Sequence, residues 1–122
     1  PPARPRPFPM PFEAQRFDQL WSAISASGVG VCSVGTDLEG DQVGRAFGFT
    51  YRVGPPGCPD ATSTGALAVA EFGTEAQRDA AAVEQASTGV DTFVLGRWVV
   101  SIEGETASLT DSLDELGAQQ VT

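Results

Sequence analysis

The sequence contains no histidine, no lysine and no asparagine, and arginine is its only cationic side chain. Each gap removes a chemistry. Without histidine there is no Ser–His–Asp or Cys–His machinery and no imidazole metal site. Without lysine there is no Schiff-base amine and no phosphate-loop lysine. Two cysteines, Cys32 and Cys58, fall short of the four N/S ligands of a structural zinc site. Neither a metal nor a cofactor is expected. No apolar run approaches the roughly 20 residues that a membrane-spanning helix needs. Lysine and asparagine have AT-rich codons, so their joint absence points to a GC-rich bacterial genome.

What is present is acidic. The chain has 16 acids against 7 bases, a formal charge of −9. Arg4 and Arg6 lie in the first 12 residues, which hold no acid, so the remainder has 16 acids against 5 bases, or −11. An acidic body repels nucleic acid and anionic lipid, so neither is expected as a partner. At 122 residues, with 41% hydrophobic and 19% charged residues, the chain has the length and composition of one ordinary globular domain.

Residues 1–12, "PPARPRPFPMPF", form a proline-rich extended spacer ahead of a single α+β domain at 13–122. The chain starts with proline rather than methionine, which fits a processed form with a signal or anchor upstream. Phe17, Leu20, Trp21 and Ile24 recur at helical spacing and predict a first helix with one apolar stripe, ended by Gly28. A strand is expected at Val29–Val34. In "VGRAFGFTYRV", Val43 to Val53, bulky and small residues alternate, the pattern of a strand with one large and one small face. A third strand follows at Thr64–Phe72. "TEAQRDAAAVEQAS" reads as a second helix, with Thr74 and Gln77 at capping-box spacing and a small-residue stripe, Ala76, Ala80 and Val83, suited to packing on a sheet. "DTFVLGRWVVSI" reads as one central strand, with Val94, Trp98 and Val100 on one side and Phe93, Leu95 and Val99 on the other. "SLTDSLDELG" closes the set as a short helix, and the last residues read as frayed. The expected order is α-β-β-β-α-β-α. The fold expected is a two-layer α+β sandwich of about four strands, mainly antiparallel, with helices mainly on one face and a parallel crossover allowed through the second helix.

The stretch "GVGVCSVGTDLEGD" tests two site types. Gly28, Gly30 and Gly35 miss the spacing of a dinucleotide loop and run into a hairpin rather than a helix. Asp37, Glu39 and Asp41 alternate like calcium ligands, but Gln42 and Gly48 stand where the loop needs glycine and glutamate. The acids read as a solvated turn. A disulfide between Cys32 and Cys58 is expected in an exported chain. Closing the 27 residues from 32 to 58 is worth about 3–4 kcal/mol in the chain-entropy model. A turn centred on Leu38–Gly40 would set Cys32 opposite Phe47, some way from Cys58.

Phe47, Phe49 and Tyr51 read as core under the first helix or, if that helix stands aside, as a groove for a protein or a small apolar ligand. The opposite row, Ala46, Gly48 and Thr50, is flat enough to dock another surface. The function expected is therefore non-catalytic binding by a small exported or cell-envelope domain, with a homodimer as one form. The alternatives are a hydrolase-like enzyme working through carboxylates such as Glu71, Glu103 or Glu105, in the cytoplasm or exported, and an assembly domain that self-associates through the sheet.

Overall fold

The computed structural model describes Phe12, residues 17–26, Gly28 and residues 30–35, 45–54, 65–104 and 107–121. Within these lie three helices, α1 (Phe17–Ala26), α2 (Glu75–Ser87) and α3 (Ala107–Glu115), and six strands. The strands are β1 (Gly30–Gly35), β2 (Arg45–Gly54), β3 (Gly65–Phe72), β4 (Asp91–Leu95), β5 (Trp98–Gly104) and β6 (Gln119–Val121). They form one sheet in the order β1-β2-β3-β5-β4-β6, every neighbouring pair antiparallel. The architecture is α+β, as expected, but it has six strands rather than about four.

The two extra strands have separate causes. The run at 91–102 is a hairpin, not one strand: Leu95 pairs with Trp98 across a turn at Gly96 and Arg97. Gly96 has φ +57, a left-handed conformation that side chains with a Cβ resist, which is why glycine stands there. The turn also shifts the alternation by one residue. Phe93 and Leu95 therefore share a face with Trp98, Val100 and Ile102, instead of opposing them. The sixth strand is the stretch read as frayed, where Gln119, Gln120 and Val121 pair with Val94, Phe93 and Thr92. It follows directly on the end of α3, where Gly117 (φ +89) lets Ala118 N–H donate to the Leu113 carbonyl at 3.0 Å. β3 and β4 do run parallel on either side of α2, but β5 lies between them.

Helices cover both faces, which corrects the two-layer expectation. Leu20 and Ile24 of α1 and Leu109 and Leu113 of α3 pack on Tyr51, Val53, Leu67, Val69, Phe93, Trp98 and Val100. Each large apolar side chain buried there contributes about 1.5–3 kcal/mol. Ala81 and Ala82 of α2 pack on the other face, over Ala70, Phe72, Val94, Val99 and Val121. The capping of α2 is as expected, with Thr74 as N-cap accepting from Gln77 N–H at 3.2 Å. The face it buries is not: Arg78, Asp79, Ala81 and Ala82 turn inward, while Ala76, Ala80 and Val83 face out. In an alanine-rich helix both sides read as small, so spacing alone does not choose between them.

Candidate functional site

β3 creates the site. In "GALAVAEF" the large residues Leu67 and Val69 point to the face covered by α1 and α3, and Ala66, Ala68 and Ala70 point to the α2 side. A row of alanines leaves that side of the sheet low and flat. α2 covers β4, β5, β6 and the end of β3. Among the described residues no helix lies over the other half, where Thr50, Ala66, Ala68 and Ser101 line a cleft of about 330 Å³. Gln85 of α2 forms one wall, and Arg45 and Glu103 lie at opposite ends, since Arg45 pairs with Phe72 and Glu103 with Ala66. Arg52 is two residues beyond Thr50 on the same face and is exposed, with no ion pair among the described residues.

Beside the cleft, the outer side of α2 carries Ala76, Ala80 and Val83 at helical spacing, with Val83 48% exposed and Glu84 adjoining it. The small-residue stripe seen in the sequence is thus a solvent-facing surface.

The aromatic row lies on the opposite face. Tyr51 is buried, its ring centroid 5.6 Å from Trp21 of α1 and 6.0 Å from Phe49. Burial raises its phenol pKa above the ordinary 10.0. Phe49 is half-buried against the core. Phe47 belongs to β2, but its side chain is outside what is described. Trp21 (38% exposed) and Val34 (55% exposed) border Tyr51, Val34 as its partner across β1 and β2. α1 therefore packs on the row rather than standing aside from it.

Cys32 sits at a bulge. Val31 pairs with Val53 and Ser33 with Arg52, so Cys32 is the extra residue of β1. It lies opposite the end of β2, not opposite Phe47 as the assumed turn implied, because Gly35 already pairs with Thr50. Cys58, the acids Asp37, Glu39 and Asp41, and Glu105 are outside the described residues. Glu71 lies in β3 opposite Trp98, and Glu103 at the far end of β5. Among the described residues no three acidic or thiol groups come together.

A polar cluster missed by sequence reading closes the other end of α2. Arg78 is fully buried; its Nε and Nη2 donate to Asp79 Oδ1 at 2.8 and 2.7 Å, and its Nη1 donates to the Gly96 carbonyl at 2.7 Å. Phe12 lies against this corner, its ring centroid 5.5 Å from the Arg78 guanidinium carbon and 4.7 Å from that of Arg97. The only sequence signal was an Arg-Asp pair in an otherwise alanine-rich helix.

No helix among the described residues is long and apolar enough to cross a membrane. No protein-family model matches the chain, and no curated protein or solved structure matches it.

Proposed function

We propose that this chain is a small exported or cell-envelope domain that acts by binding, and that the first thing it binds is a second copy of itself. The observation that carries the reading is the half-open α2 face. Among the described residues no helix covers the part floored by Ala66, Ala68 and Thr50, which leaves a cleft of about 330 Å³ beside α2. The other face of the same sheet takes two helices, α1 and α3.

The chain exposes a helix surface that fits. Ala76, Ala80 and Val83 give α2 an outer stripe of small apolar groups, matched to a floor of small groups, so helix and sheet can approach closely. A two-fold axis running along β3 exchanges the two halves of the face. It sets α2 of each copy over β2 of the other, a self-complementary arrangement that closes at two subunits. Glu84, beside the stripe, then comes to the side of the sheet that carries Arg45 and Arg52. α2 has 13 residues and is therefore about 20 Å long. Two such seats make an interface at the small end of stable ones.

Export rests on the cysteines. The bulge puts Cys32 beside Arg52 and Val53, only a few residues before Cys58 in the chain, and no cysteine is free among the described residues. Both support a Cys32–Cys58 bond and an oxidising compartment.

Sedimentation velocity at micromolar concentrations tests the dimer. The protein should sediment as two copies, and Val83→Arg on α2 or Ala68→Arg on the sheet should each give a monomer. Arg52→Glu should weaken the dimer, and adding Glu84→Arg should restore it. A monomer throughout overturns self-association; a dimer indifferent to both Val83→Arg and Ala68→Arg overturns this surface.

A further inference from the structure

The corner where α2 meets the β4–β5 turn holds two guanidinium groups and one aromatic ring. We propose that Arg78 and Arg97 form a slot for an aromatic side chain, and that Phe12 is its resident ligand, tying the proline-rich segment to the domain at this point.

The slot is built, not accidental. Arg78 is fully buried and held by Asp79 and by the Gly96 carbonyl, so its plane is fixed before any ring arrives. Arg97 follows Gly96 in the turn, and its backbone carbonyl accepts from Phe72 N–H at 3.0 Å, which anchors the turn to β3. Its Nε is buried and has no hydrogen-bond acceptor among the described residues. Among the described residues its guanidinium has no acid partner. What it has instead is the face of the Phe12 ring, with the guanidinium carbon 4.7 Å from the centroid. The negative face of an aromatic ring attracts a cation, and the attraction strengthens as water is excluded. A ring of this kind offers both arginines a counter-surface that a leucine of similar volume does not.

The consequence is positional. Arg97 is bonded through Phe72 to the end of β3 that pairs with Arg45, so the slot lies at the Arg45 end of the open cleft. This inference does not depend on dimerisation.

The test uses the full chain. In its side-chain NMR spectrum the Arg97 Nε–H resonance should lie upfield of that of exposed Arg52, by the ring current of Phe12. Phe12→Leu should abolish the displacement and Phe12→Trp should preserve it. Trypsin supplies a second readout. Arg4 and Arg6 each precede proline, so the bond after Arg16 is the first that it accepts. Phe12→Leu should speed that cleavage about fivefold to tenfold, the factor two partly shielded cation–ring contacts supply. Phe12→Trp should leave the rate near that of the unaltered chain. An Arg97 resonance at the Arg52 position in the unaltered chain overturns the slot. So does a Phe12→Leu variant in which resonance and cleavage are both unchanged.

Discussion

Asp79→Ala should be among the most damaging substitutions in this chain, and Arg78→Met made on top of it should undo much of the damage. The carboxylate of Asp79 accepts two hydrogen bonds from Arg78, at 2.8 and 2.7 Å, and neither side chain is much exposed. Removing it takes from a fully buried guanidinium the carboxylate that accepts two of its hydrogen bonds. Breaking a buried pair in this way costs about 3–5 kcal/mol. A domain of this size has a total stability of about 5–15 kcal/mol. At about 4 °C per kcal/mol, the melting temperature should fall by roughly 12–20 °C. In Arg78→Met/Asp79→Ala neither charge of the pair remains. The residual losses include the bond to the Gly96 carbonyl, about 1 kcal/mol, and imperfect packing, so the double variant should be more stable than Asp79→Ala alone. Urea unfolding followed by tryptophan fluorescence measures both differences. A double variant as unstable as the sum of the two single ones would refute the argument. A loss under about 1 kcal/mol for Asp79→Ala would mean that the pair is solvated, and the corner not a buried one.

Two further outcomes follow from the structure. Tyr51 is the chain's only tyrosine, and burial raises its phenol above 10.0. A raised folded value means that its contribution is intact below pH 10.0 and lost as pH rises through the folded value. Phenolate absorbance should therefore appear together with unfolding at alkaline pH; titration at the ordinary value in a still-folded protein would count against burial. The intact mass of native, unreduced protein should be lower than that of the reduced chain by the two thiol hydrogens of Cys32 and Cys58, and two alkylatable thiols in native material would remove the support for export.

Strands were legible where side chains alternated in size. β2 was anticipated over Val43–Val53 because large and small residues there sort themselves onto two faces, and β3 was anticipated at Thr64–Phe72. Legibility failed where one residue changed the count. Gly96 turned one apparent strand into a hairpin, and the extra residue at Cys32, together with the pairing of Gly35 with Thr50, moved the cysteine to the other end of β2. α2 was located and its cap named, but its direction was not. Burying Arg78 requires Asp79 and the carbonyl of Gly96, 18 residues away, a partner that no local pattern reveals. The candidate site was half visible: the flat side of β2 and the small stripe of α2 were both apparent, but that they lie side by side as floor and wall depends on β5 entering between β3 and β4.

The bulge at Cys32 has a consequence for colloidal behaviour. Among the described residues the sheet ends in β1 on one side and β6 on the other. Exposed strand edges are templates on which further chains polymerise, and the usual protections are shortness and irregularity. β6 has three residues, and β1 is broken by the bulge and ends at Gly35. A chain with both rims blunted in this way should associate across its faces and stop there, remaining dispersed at concentrations where a smooth-edged sheet would grow into fibres.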